Sequence, residues 1–73
     1  MDYDGLIMKM WIARDKNGRL DLFPSEPYLV ESERHGLIWE NDYADYMRLP
    51  DEAYPEVTFE NSPMEVELKL IEK

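Results

Sequence analysis

Few side chains in this sequence could do chemistry, and their spacing limits what each could do. His35 is the only histidine, and there is no cysteine. A zinc centre needs three or four nitrogen, sulfur or carboxylate ligands held close together. One imidazole beside Gly36, at the end of the polar run Glu31-Ser-Glu-Arg-His35, therefore reads as a solvated loop residue. The acids Asp42, Asp45, Asp51 and Glu52 lie near one another in sequence. They lack the alternate oxygen ligands, central glycine and terminal glutamate of an EF-hand calcium loop. As a carboxylate pair for glycoside hydrolysis they would need a substrate cleft, and a chain of 73 residues has little material to build one. Ser25, Ser32 and Ser62 stand in no nucleophile-elbow context, and no glycine-rich phosphate loop is present. The sequence points to no catalytic residue, cofactor or metal ligand. A small hydrolase is the weakest of the readings carried forward.

Charge narrows the list of partners. The formal net charge is −9, of which residues 1 to 37 carry −2 and residues 38 to 73 carry −7. Affinity for a phosphate backbone comes from Lys and Arg displacing counterions, so direct nucleic-acid binding is not expected. The acidity has two readings: it keeps a small chain soluble, or it forms a face that docks on a basic protein surface. No apolar run is long enough to span a bilayer, since Leu6 to Ala13 is short and interrupted by Lys9. The acids at the N-terminus do not suit a signal peptide, so a cytoplasmic protein without membrane contact is expected. Absence of cysteine fits that compartment.

The elements that would position these groups read as strands. Residues 6 to 14 alternate, with Leu6, Met8, Met10 and Ile12 on one face and Ile7, Lys9, Trp11 and Ala13 on the other. Asp15-Lys-Asn-Gly18 is a turn, and Arg19 to Phe23 is a second strand ended by Pro24. A two-residue Asn17-Gly18 loop would pair Ile12 with Phe23 and put the leucines opposite the wrong face. A three-residue loop, Lys16-Asn17-Gly18 with Gly18 left-handed, pairs Ile12 with Leu22 and Arg14 with Leu20. It also sets Trp11 beside Phe23 and Asp15 beside Arg19. A one-residue slip would turn the apolar set outward, so burial selects the three-residue loop.

Further along, Tyr28 to Val30, Gly36 to Glu40 and Tyr46 to Leu49 read as short strands, with a turn at Asn41-Asp42. The prolines around residues 51 to 54 allow one short helical turn, and Val57 to Phe59 reads as extended. Ser62-Pro-Met-Glu65 has the form of a capping box with proline at the first helical position. Yet Met64, Val66, Leu68 and Leu70 alternate with Glu65, Glu67 and Lys69, and strand is favoured with those four apolar residues buried. The expected architecture is mainly β: one small domain over 1–73, an antiparallel sheet of about four to six strands led by a hairpin over 6–23, with residues 1–5 as a disordered lead-in. So short a chain buries only about 60% of its unfolded surface, so its stability is expected to be marginal.

Three segments carry a resemblance: Trp11-Ile-Ala-Arg-Asp-Lys-Asn-Gly18, Leu20-Asp-Leu-Phe23 and Pro55-Glu-Val-Thr-Phe-Glu-Asn-Ser-Pro63. Together they resemble short uncharacterised proteins typical of phage and mobile-element gene clusters. The resemblance implies a genomic setting in which small acidic proteins act as accessory or inhibitory binders, and it implies no catalytic residue.

The aromatic residues then become the interesting set. They are either a second core covered by the C-terminal half or an exposed patch rimmed by acids, the composition of a protein-binding hot spot. On the second reading the partner-binding residues are Trp11, Phe23, Trp39, Asp42, Tyr43, Asp45, Tyr46 and Asp51. The function expected is binding of another protein, one with a basic surface if the acids take part. The alternative is self-association as a homodimer through an exposed first or last strand.

Overall fold

The computed structural model describes residues 8–68, and they form six strands and no helix. The strands are β1 (Met8–Arg14), β2 (Leu20–Phe23), β3 (Tyr28–Ser32), β4 (Gly36–Glu40), β5 (Met47–Leu49) and β6 (Met64–Leu68). Four of them make an antiparallel sheet in the order β5-β2-β1-β6, while β3 and β4 form a separate two-stranded hairpin. The expected lead-in over 1–5, the start of the first strand at Leu6 and the burial of Leu70 lie outside the described residues.

The first hairpin has the register that face agreement selects. Ile12 lies opposite Leu22, Arg14 opposite Leu20, and Trp11 opposite Phe23. Asp15 N–H donates to Arg19 O at 2.8 Å, Gly18 N–H donates to Asp15 O at 2.9 Å, and Gly18 has φ +98°. That is a type I turn closed by a left-handed glycine bulge. The last segment is a strand because Ser62 is not free to cap a helix. Its Oγ accepts Arg14 N–H at 2.8 Å and donates to Thr58 O at 2.6 Å, which aligns the residues after it along β1.

Cross-strand pairing lays out two faces. One row, Met47–Leu22–Ile12–Met64, runs across all four strands of the sheet. Leu49–Leu20 and Met10–Val66 flank it on the same face. Val57 and Ala53, from the chain between β5 and β6, lie over Ile12, Leu20, Leu22 and Leu49 and make the core cluster. On the opposite face Ala13 and Phe23 are buried, with the Tyr46 ring 6.0 Å from that of Phe23. Backbone bonds hold β4 beside the first turn, since Lys16 N–H donates to Leu37 O and Trp39 N–H donates to Asp15 Oδ1.

Three expectations about local structure are corrected. Residues 51 to 54 form no helical turn. Ala53 N–H bonds Pro50 O and Val57 N–H bonds Tyr54 O, two separate turns divided by Tyr54 at φ +50°, which no right-handed helix accommodates. Val57 to Phe59 is not a strand, because Thr58 and Asn61 each accept the other's backbone N–H through their side chains and fold a turn. Of the alternating residues in β6, only Val66 is half-buried. Met64 is 37% exposed and Leu68 52% exposed, since little covers that end of the sheet among the described residues.

Candidate functional site

Two concave regions stand on opposite sides of the four-stranded sheet, and they differ in chemistry. The first, of about 340 Å³, is polar, and Asp15, Asp21, Arg19, Arg48, Trp39 and Tyr46 are among its walls. It contains buried acids at positions that local sequence reads as turn and strand: Asp15 is 5% exposed and Asp21 is 3% exposed. Burial pushes both carboxyls above their ordinary value. The Trp39 N–H opposes that rise at Asp15, and the Arg19 guanidinium opposes it at Asp21. Arg19 Nε lies 3.2 Å from both Asp21 oxygens, while its guanidinium carbon sits 5.2 Å from the centre of the Tyr46 ring. Arg48 turns to Asp51 at 3.4 Å. The acids of this cleft are thus engaged in holding two hairpins and a strand together. Asp15 is the joint between the hairpins, since Trp39 also donates its Nε1–H to Arg14 O at 3.1 Å. Among the described residues no group of three or more His, Asp or Glu side chains is placed to hold a metal ion.

The second region is an apolar groove of about 400 Å³ on the aliphatic face, lined by Met10, Leu22, Leu49, Val57, Val66 and Leu68, with Glu56 and Glu67 also on its wall. One end is closed by the 50–57 segment. Arg14 holds that segment in place, for its guanidinium donates to the carbonyls of Asp51, Ala53, Tyr54 and Val57 and to Gly18 O. The other end is open. Met64 and Leu68 remain exposed there, Met8 and Met47 are exposed elsewhere on the same face, and Tyr54, 57% exposed, stands at the rim. Methionine side chains are flexible and polarisable, which suits a surface that must adapt to a partner.

The residues singled out from the sequence fall into three groups. Phe23 is 1% exposed and packs against Tyr46, so it belongs to the core and not to a contact surface. Trp11 and Trp39 are half-buried, and the Trp39 ring lies 6.3 Å from that of Phe59. Tyr43, Tyr46, Asp42, Asp45 and Asp51 are exposed, with Tyr43 the most open large hydrophobic side chain among the described residues at 82%. Asn41 folds the loop that carries Asp42, Tyr43 and Asp45, donating to Asp45 O and Ser25 Oγ and accepting Asp45 N–H. Sequence reasoning missed the open end of the aliphatic face. The signal was present in the run of methionines, but periodicity shows which residues share a face and not whether anything covers them.

Compared with known protein families, curated proteins and solved structures, the chain matches none. Its function is therefore read from its own sequence and geometry.

Proposed function

We propose that this chain is a non-catalytic protein-binding module that docks its partner on the open aliphatic face of the four-stranded sheet. The observation that carries the reading is the Met47–Leu22–Ile12–Met64 row, whose two outer members are exposed at 62% and 37% while Ile12 beneath is buried. Apolar surface left exposed at the margins of a groove, and rimmed by polar groups, marks interaction sites. The exposed acids Asp42, Asp45 and Asp51 supply a second contribution, steering a partner with a basic surface. The resemblance to proteins of phage and mobile-element clusters is what gives the binding an accessory or inhibitory sense. No helix among the described residues is long and apolar enough to cross a membrane. A cytoplasmic setting is part of the proposal.

Capture of a partner by the immobilised full chain tests the reading when run beside the double variant Met47→Lys/Leu68→Lys. Both residues are more than half exposed, so the variant should unfold within about 0.5 kcal/mol of the parent. Loss of capture by a folded variant supports the aliphatic face. Equal capture by parent and variant would place the binding surface elsewhere. A solution mass that doubles with concentration in the parent and not in the variant would assign the face to self-association instead.

A further inference from the structure

The edge of the sheet beside the groove has a directional chemistry of its own. Asp15 N–H points toward β2 and Arg14 N–H points the other way, to Ser62 Oγ. Backbone groups alternate along a strand, so the even-numbered residues of β1 direct theirs at β6. Met8, Met10 and Ile12 therefore bond Leu68, Val66 and Met64. The N–H and C=O groups of Glu65 and Glu67 then face outward along β6, the last strand of the sheet. The same two residues carry exposed carboxylates, with Lys9 of β1 on the inner side, 4.0 Å from Glu65. Lys9 lies directly opposite Glu67, so the charges already alternate across this pair of strands.

Resting on the protein-binding reading, we infer that β6 accepts an extended segment of the partner as a fifth strand, one in which basic residues alternate with apolar ones. Antiparallel addition would set basic side chains opposite Glu65 and Glu67, where opposite charges attract and like charges repel. The apolar residues between them would fall on the Met64–Val66–Leu68 side and extend the floor of the groove over its exposed margin. Glu56, beside the groove, adds negative charge that favours a basic segment over an acidic one. Main-chain bonds to the outward groups give affinity, and side-chain alternation gives selectivity. A second copy of this chain fits the edge poorly, because two β6 strands centred on Val66 would set Glu65 against Glu67 twice over.

The test is a titration of the isotopically labelled full chain with a synthetic peptide alternating valine and lysine. Two controls accompany it: a peptide of the same composition with its lysines in one block, and the same chain carrying Glu26→Lys/Glu33→Lys, an equal charge change at two exposed acids away from β6. The amide signals of Glu65 and Glu67 should move and their hydrogen exchange should slow. Binding should weaken about tenfold in Glu65→Lys/Glu67→Lys, the scale of two cross-strand ion pairs turned into like-charge pairs, and hold in the Glu26/Glu33 control. Shifts confined to groove residues such as Leu22 and Val57, unaffected by Glu65→Lys/Glu67→Lys, would overturn the edge inference and leave the docking face standing. Equal binding of the block peptide, or no shift at all, would overturn it as well, while the Met47→Lys/Leu68→Lys capture result decides the face independently.

Discussion

A guanidinium has five N–H donors, and in Arg14 all five go to neutral backbone carbonyls at 2.6 to 3.2 Å. Four of those carbonyls belong to the 50–57 segment that closes one end of the groove, so this side chain joins β1 to the cover of the core. Arg14→Lys keeps the charge but not the planar fork, and a lysine reaches only some of the acceptors. Hydrogen bonds to charged groups contribute about 1.5–3 kcal/mol each and are not additive, so the substitution should cost about 2–4 kcal/mol in denaturant unfolding. A loss under about 1 kcal/mol would mean that Val57 and Ala53 hold the segment by packing alone. Asp15 supplies a test with a pH signature. Its folded carboxyl is raised above the ordinary value, chiefly by burial, so the folded chain binds a proton there more readily than the unfolded chain does. That contribution is present below the ordinary pKa and is lost as pH rises through the folded one. Asp15→Asn keeps an acceptor for Trp39 N–H without the buried charge. At neutral pH it should match or exceed the parent in stability, and the difference should shrink as pH falls from about 7 towards about 4. Asp15→Ala leaves the Trp39 N–H without its acceptor and should cost about 1–3 kcal/mol. An Asp15→Asn chain that is less stable than the parent at neutral pH would show that the charge itself holds the hairpins together.

At the scale of elements, the first hairpin rests on one backbone position. Gly18 has φ +98°, and a Cβ added there would meet nothing within 4 Å, so any penalty on substitution is conformational. Gly18→Val should destabilise by about 1–2 kcal/mol, with Gly18→Asn cheaper, and circular dichroism melts of the two variants read the difference. Equal melting of the two would contradict the left-handed turn. This hairpin was legible in the sequence because only one register gathers Ile12, Leu20 and Leu22 on a single face. The strand at 64–68 was legible for the same reason, its alternation outweighing a capping box whose serine is drawn off by Arg14 N–H. What was not legible depends on contacts distant in sequence. The left-handed Tyr54 lies in a segment whose carbonyls are gathered by Arg14, roughly forty residues earlier. Nothing local marks Asp15 and Asp21 as buried, because their environment is made by the β4 backbone and by Tyr46. Phe23 reads from the sequence as either core or contact surface, because β5 and its preceding Tyr46 are needed to cover it. The open end of the aliphatic face is the converse case, where a pattern that promises burial meets no covering element.

At the scale of the molecule, the buried apolar side chains among the described residues are few: Ile12, Ala13, Leu20, Phe23 and Val57. A core that small leaves stability marginal, and apolar area buried against a partner adds to it by mass action. The net charge of −9 acts at longer range. Steering by exposed acids is screened as the Debye length falls from about 10 Å at 0.1 M salt to about 3 Å at 1 M. Association with a basic partner should therefore slow as salt rises, while dissociation changes less. Asp42→Lys/Asp45→Lys/Asp51→Lys should slow association without unfolding the chain, since all three side chains are exposed. Rates indifferent to salt and to this variant would remove these three acids from recognition and leave the docking to the aliphatic face and its edge. That face is open to one direct measurement, because Met8, Met10, Met47 and Met64 all lie on it and their methyl groups report on their surroundings. The full chain is labelled at its methionine methyls, and spectra are recorded with and without the captured partner. Docking on this face predicts that the signals of Met47 and Met64 shift or broaden on binding, with Met8 and Met10 following. Unmoved methionine signals in a saturated complex, with changes confined to the Tyr43 and Tyr46 side, would contradict it.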